Sequence, residues 1–354
     1  VIGTSSEVIK LAPVAHGLAA LGCRPTLVLT GRHPHLPLGD LDLEAFPAVR
    51  LNCPGKADPH NHVRRVTAEM TRLLREKPDL LVVQGDSSSA LGAALAGFLA
   101  GVPVAHVEAG LRTHDSHLPW PEEEYRVAID TRADLLFAPT ETAAANLRRE
   151  QVPGEVHVTG NTGIDSLFAV QVKLPPRTPR EGGMPRLLVT CHRRESWGAG
   201  LESISRALAE IARDGTASID VVLHPNPHVA SAMRSQLAGR AGITLIGPMG
   251  HVELVHRVRD CDLVLSDSGG IQEEAPALGT PLLVLREKTE RPEAIASGNA
   301  RLVGTSTARI IAEARRLLDP AERASMARPA FPFGDGRSGP RIAQIILNWL
   351  ERRA

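Results

Sequence analysis

Short aliphatic runs alternate with longer amphipathic stretches along the whole 354-residue chain, and no other feature restricts the fold as much. In the first half the spacing predicts strands at Pro25–Thr30, Leu80–Val83, Pro103–Glu108, Leu135–Ala138 and Glu155–Thr159. Helical patterns separate them, at Glu7–Leu21, His60–Glu76, Ser88–Ala100, Glu122–Arg132 and Glu141–Arg149. A run of four to six apolar residues with no polar alternation suits a parallel strand covered on both faces. Strands of that kind divided by helices imply βαβ units with right-handed crossovers, and so an open, doubly wound sheet.

The alternation stops at Lys173–Pro185, where KLPPRTPREGGMP is rich in Pro, Gly and charge and reads as a linker. It restarts with strands at Leu187–Thr190, Val221–His224, Ile243–Ile246, Leu263–Ser266 and Leu282–Leu285. The expectation is an α/β fold of two Rossmann-like, doubly wound domains facing a cleft. They span residues 1–172 and 186–337, joined by 173–185. An amphipathic helix at Ser338–Arg353 is expected to pack back on the first domain. At 37.8 kDa the chain has the length for two domains, and with 43% hydrophobic but only 3% aromatic residues its cores must be aliphatic. Paired domains of this type are the architecture of the GT-B class of sugar-nucleotide enzymes. Their ligands sit at the carboxyl ends of the strands.

Forty basic and forty acidic residues cancel, which argues against nucleic acid or an anionic membrane as the partner. Cys23, Cys53, Cys191 and Cys261 form no CxxC pair, so neither a zinc site nor a disulfide framework is indicated, and a reducing cytoplasm fits. The longest apolar stretch, Ala90–Ala105, contains three glycines and is broken by Pro103, so it reads as a buried helix entering a strand. No charged-then-apolar leader opens the chain. It begins at Val1 in what reads as the middle of a strand, so a few preceding residues are expected. Arg dominates the basic residues and Ala is abundant, which fits a high-GC bacterial source.

The polar residues just after each strand carry the chemistry. In LVLSDSGGIQEEAPALG a strand turns through Ser268-Gly269-Gly270 into a helix, whose free N–H groups and positive dipole end suit a phosphate. Each charge-assisted hydrogen bond there is worth roughly 1.5–3 kcal/mol. Glu274, one turn in, suits ribose hydroxyls, and Arg291 in TERPEA is a further phosphate contact. The plainer reading is a glycine-eased turn with a solvated Glu pair. GAGLES at Gly198–Ser203 has Ser203 where a dinucleotide fingerprint needs its third glycine, so an NAD site is not expected. Asp86 follows one strand in VVQGDSSS, and Glu108 ends the next in VAHVEAGLR. Glu122 opens a helix after Pro121, with Arg126 one turn on, and His192 ends the first strand of the second domain. Each also suits a purely structural role, Asp86 as a helix N-cap, Glu122 as a first-turn dipole partner and His192 as a satisfied loop histidine. Gathered at strand ends opposite a phosphate-binding turn, they suit proton transfer.

From Gly3 to the FGDGRSGPRI segment, the chain resembles the non-hydrolysing UDP-N-acetylglucosamine 2-epimerases. GTSSEVIKLAP, GDSSSAL, PVAHVEAGLR, PWPEEEYR, TGNTGIDSL, CHRRESWG, HPNPHV, DSGGIQEEAPALGTP and ERPEAIASG follow that family's motif order. The resemblance implies the GT-B fold, a homodimer, UDP-sugar and UDP as ligands, and no cofactor or metal. It implies C2 epimerisation by anti elimination of UDP, giving bound 2-acetamidoglucal, then re-addition with protonation on the opposite face. Carried over by motif, the catalytic positions are Asp86, Glu108, Glu122 and His192, one acid for each face of C2. Ser268, Gly269, Gly270, Arg291 and Lys10 would hold the leaving diphosphate, and Arg126, His224, Asn226 and Glu274 match substrate contacts. The alternatives are the hydrolysing epimerase, a GT-B glycosyltransferase and a non-catalytic sugar-nucleotide sensor.

The departures matter too. Ser5-Ser6 replace the family's Arg-Pro, Cys191 replaces a Gly beside His192, and Leu254 stands where an aromatic often meets the uracil. The Gln-containing effector segments TAQH and PGQ are replaced by TGRHPH (Thr30–His35) and PHNHVRR (Pro59–Arg65), so activation by bound substrate is expected to be absent.

Overall fold

Parallel strands joined by helices build both halves of the protein in the computed structural model, which describes residues 1–55, 58–176, 183–191, 193 and 197–353. In the first half β1 (Leu27–Leu29) pairs with β2 (Ala48–Arg50), and β3 (Leu81–Gln84), β4 (Val104–Val107), β5 (Leu135–Ala138) and β6 (Glu155–Val158) form a four-stranded sheet, all parallel. Val1 and Ile2 join the two sets. The Ile2 N–H donates to the Val28 carbonyl at 2.8 Å, the Thr30 N–H to the Ile2 carbonyl at 2.9 Å, and the Val1 amino group to the Val82 carbonyl at 2.9 Å. Helices α1 (Ser5–Ala20), α2 (Pro59–Leu73), α3 (Ser88–Ala100), α4 (Glu122–Asp130), α5 (Glu141–Arg149) and α6 (Thr162–Lys173) are the crossovers.

The two-residue period of β4 divides this unit into two cores. Val104 packs with Val66 and Met70 of α2, Ala94 of α3 and Ile129 of α4, while Ala105 and Val107 face Val8, Leu11 and Leu18 of α1. Helix starts are read from their caps. Thr4 and Glu7 close a capping box on α1, Asp58 precedes Pro59 on α2, and Ser87 accepts from the Ser89 and Ala90 N–H groups on α3.

The second half has six parallel strands: β7 (Arg186–Thr190), β8 (Ser218–Val222), β9 (Ile243–Ile246), β10 (Leu263–Ser266), β11 (Leu282–Val284) and β12 (Ala300–Leu302). Their spatial order is β12-β11-β10-β7-β8-β9. The winding reverses between β7 and β10, so the loops after these two strands flank the crevice where doubly wound sheets bind ligands. Its helices are α7 (Ala199–Arg213), α8 (Pro227–Leu237), α9 (His251–Asp260), α10 (Gly269–Leu278), α11 (Pro292–Ala296), α12 (Thr307–Leu318) and α13 (Pro320–Met326). Helix α14 (Ser338–Glu351) then returns to α1, burying Ile342, Ala343, Ile346 and Trp349 in the α1 core. The chain thus divides into Val1–Phe168 with Phe333–Ala354, and Ala169–Pro332.

This is the doubly wound α/β class expected of a GT-B protein. The first division falls inside α6, ahead of the Pro-rich stretch, of which residues 177–182 lie outside the described residues. Pro25–Thr30 shortens to Leu27–Leu29. The strand expected at Val221–His224 runs from Ser218 to Val222, with His224 already in the loop. Two strands, β2 and β12, carry no apolar run that would have announced them.

Candidate active site

Residues at the ends of β3 and β4 form a dense charged cluster in the first unit. Gly85 follows β3 with φ +68°, a conformation that favours glycine, and turns the chain so that Asp86 leaves the sheet. Ser87, not Asp86, caps α3, which frees Asp86 from the structural role its position suggested. Its carboxylate instead accepts from the Arg126 guanidinium at 2.5 Å. Arg126 is buried and Asp86 is about one-third exposed, so this pair has one edge open to solvent. Among the described residues the buried Nε of Arg126 has no hydrogen-bond partner, and its Nη1 has only the longer ion-pair contact with Glu123, donors of the kind that mark functional sites.

Glu108 leaves β4 with φ +68°, left-handed backbone that non-glycine residues adopt at a cost of order 1 kcal/mol or more. Its own N–H and that of Ala109 both donate to the Phe137 carbonyl, at 3.0 and 3.1 Å, which holds the bend. The buried carboxylate accepts from Lys10 of α1 and, at 2.9 Å, from the Gln84 side-chain amide on β3. Lys10, read from sequence as a diphosphate contact, is thus an ion-pair partner of an acid. Glu122 opens α4, partly buried and one turn from Arg126. The neighbouring Glu123 has the structural role: its carboxylate accepts from the Thr113 and His114 N–H groups, at 2.9 Å each, and lies 3.4 Å from Arg126. Glu7 plays a similar part at the start of α1, accepting from the Gly3 N–H at 2.6 Å, the Thr4 N–H at 2.7 Å and the Ser87 hydroxyl.

In the second unit, β10 ends at Ser266, and the chain passes through buried Asp267 into α10. The Ser266 hydroxyl accepts from the Ser268 N–H at 3.0 Å, fixing the turn, and Ser268 makes no side-chain cap bond of its own. Gly269 is required by close approach: a Cβ there would meet the Arg291 guanidinium at 2.8–2.9 Å. Among the described residues, a Cβ at Gly270 would meet only Ser268 Oγ, at 3.9 Å. Arg291 therefore lies over the first turn of α10, adding a cation to the helix's own positive end. Glu273, at 2.6 Å, and Glu290 hold it there, and Arg286 pairs with Glu290 at 2.9 Å.

The remaining positions are less uniform. Glu274 is buried and lies 2.7 Å from His251 Nε2 at the start of α9. Asn226 caps α8, its side-chain oxygen accepting from the His228 N–H at 3.0 Å. The Asn226 N–H donates to His224 Nδ1 at 2.9 Å, so that nitrogen carries no proton. His192 lies outside the described residues. Beside it, burial and then the charge of Asp267 push the Cys191 thiol well up, keeping it protonated. Among the described residues no helix is long and apolar enough to cross a membrane, and no group of three or more His, Cys, Asp or Glu is placed to hold a metal ion.

Sequence reasoning passed over Glu7, Glu123, His251, Glu273 and Glu290. The Thr-x-x-Glu of a capping box announces Glu7. For Glu123, His251 and Glu273 the signal lies in partners more distant along the chain, whereas Glu290 stands beside Arg291 and four residues after Arg286.

Residues 20–347 match the profile of a family described as UDP-N-acetylglucosamine 2-epimerase. The UDP-N-acetylglucosamine 2-epimerase of Salmonella typhimurium is 40% identical over 371 residues, which cover 99% of this chain and 98% of the relative. The crystal structure of the Neisseria meningitidis UDP-GlcNAc 2-epimerase bound to UDP-GlcNAc has a TM-score of 0.92 at 35% identity, covering 98% of each chain. That of the Methanocaldococcus jannaschii enzyme in complex with UDP-GlcNAc and UDP has a TM-score of 0.84 at 30% identity, again over 98% of each chain. Likeness of this length, in sequence and in fold together, places the chain in the UDP-N-acetylglucosamine 2-epimerase family.

Proposed function

We propose that the protein interconverts UDP-N-acetylglucosamine and UDP-N-acetylmannosamine without hydrolysing the sugar–UDP bond. The C2 proton is not acidic, and a route without a ketone is anti elimination: a base takes the C2 proton as the C1–O bond breaks, leaving 2-acetamidoglucal and UDP. UDP then adds back to C1 while an acid protonates C2 from the other face. Two proton-transfer groups are needed, and Asp86, Glu108 and Glu122 are the candidates, with His192 assisting the departing diphosphate. Ser268, Gly269, Gly270 and Arg291 would hold UDP between the two steps, supplying N–H donors and a cation where charge develops.

The observation that carries this reading is the pair of acids at adjacent strand ends, each with its own cation: Asp86 with Arg126 and Glu108 with Lys10. In each pair the cation fixes the carboxylate in place at its strand end. The reading includes a homodimer, which the family resemblance implies, and simple hyperbolic kinetics, because Thr30–His35 and Pro59–Arg65 lack the glutamines of the effector segments. Proton NMR of the product tests it. A mannosamine signal still coupled to the UDP phosphorus supports epimerisation, whereas anomers of free N-acetylmannosamine identify the hydrolysing reaction. A sigmoidal rate curve would remove the claim of unregulated kinetics.

A further inference from the structure

His106, in the middle of β4, is fully buried, and both of its ring nitrogens face acceptors. Nδ1 lies 2.6 Å from the Asp130 carboxylate on α4, and Nε2 lies 2.9 Å from the Gly85 carbonyl. A carbonyl oxygen cannot donate, so Nε2 must carry a proton. The Asp130 carboxylate is committed as an acceptor as well: its second oxygen takes the Gly110 N–H at 3.1 Å and the Arg112 guanidinium at 2.8 Å. The 2.6 Å contact then holds one proton between Nδ1 and the first oxygen. Arg112 goes on to clasp Glu150, at the end of α5, with two bonds of 2.8 and 2.6 Å.

We propose that His106 is a positioning residue, a buried ring bonded at both nitrogens that ties the Gly85–Asp86 loop to α4 and thereby sets the geometry of the reacting acids. The cluster reaches each of them by a short covalent route. The Gly85 carbonyl is the peptide oxygen joined to Asp86. Gly110 and Arg112 lie just beyond Glu108, and Asp130 ends the helix that carries Glu122 and Arg126. Gly85 is gripped from both sides, since its N–H also donates to the Val107 carbonyl at 3.0 Å. A loop held in this way keeps Asp86 on Arg126 without contacting substrate. Burial alone would raise Asp130, but the charges and hydrogen bonds of His106 and Arg112 outweigh it and keep its carboxyl below the usual range.

The inference rests on the proposed epimerase chemistry only for its effect on rate, so its tests are separable. In ¹⁵N-labelled full-length protein, His106 Nε2 should carry a slowly exchanging proton, as its bond to the Gly85 carbonyl requires. An unprotonated or freely exchanging Nε2 would overturn the assignment whatever the activity. In the folded variants His106→Gln and Asp130→Asn, amide exchange at Gly85 and Asp86 should rise at least tenfold while that of β5 is unchanged. kcat should fall about 10²-fold with KM altered less than threefold. Unchanged exchange and kcat in a folded variant would refute the positioning role. A wild-type protein that leaves UDP-N-acetylglucosamine untouched, yet gives the predicted nitrogen and exchange results, would refute the epimerase reading and not the tether.

Discussion

His62 and His106 are both buried, and each sits between two oxygen partners, but only His62 has a hydroxyl among them. His62 Nε2 donates to the Cys53 carbonyl at 2.9 Å, while Nδ1 lies 2.8 Å from the Ser88 hydroxyl, which can donate to it. A neutral ring therefore satisfies both contacts. Burial, reinforced by the charges of Arg32 and Arg65, pushes its pKa below the ordinary imidazole value. The unfolded chain then binds more protons than the folded one at acid pH. The stability His62 contributes is complete above about pH 6.5 and is lost as pH falls toward and through its folded value. His62→Gln keeps one donor and one acceptor without a titration, so its melting temperature should fall less steeply than the wild type's below about pH 6.5. Parallel curves would contradict this. Gly269 offers a second test at this scale. Gly269→Ala places a methyl against the Arg291 guanidinium. Losing one charge-assisted bond to a phosphate should weaken UDP binding about 10- to 100-fold by calorimetry, and unaltered binding would show that this turn does not hold the diphosphate.

Elements declared themselves in the sequence to the extent that both faces are buried. LLFA of β5 and LVLS of β10 are wholly buried and read as strands at once. β2 is a short edge strand of alternating exposed and half-buried residues, and β12 buries only its first residue fully, so neither needed an apolar run. Ser218–Val222 likewise begins before its apolar core does, because Ser218 and Asp220 face partly outward. Helix α14 shows the reverse case: its stripe of Ile342, Ala343, Ile346 and Trp349 was legible, while the element it covers, α1, lies more than 300 residues earlier in the chain. Ile346→Ala should cost about 2–5 kcal/mol in urea denaturation, because the side chain is buried against α1. A loss below about 0.5 kcal/mol, ordinary for a surface site, would mean that α14 is loosely docked.

For the whole molecule, the doubly wound plan and the placing of Asp86, Glu108, Ser268, Gly269 and Gly270 after strands could be read before any coordinates, because parallel sheets present loops at one edge. The partners could not. Asp130 meets His106 across 24 residues and Glu123 meets the Thr113 N–H across 10, contacts that depend on how helices lie on the sheet and leave no local pattern. Proton transfer by these acids should be costly to lose: Glu108→Gln, which keeps the Gln84 contact but cannot take a proton, should lower kcat about 10²- to 10⁴-fold with the fold intact by circular dichroism. The central claim, that UDP leaves and returns while C2 loses and regains a proton, is tested most directly by incubation with UDP-N-acetylglucosamine in deuterium oxide, followed by NMR at C2. The account predicts deuterium at C2 of UDP-N-acetylmannosamine, and in time of recovered substrate, with UDP still attached. Epimerisation that retains the original hydrogen at C2 would contradict it.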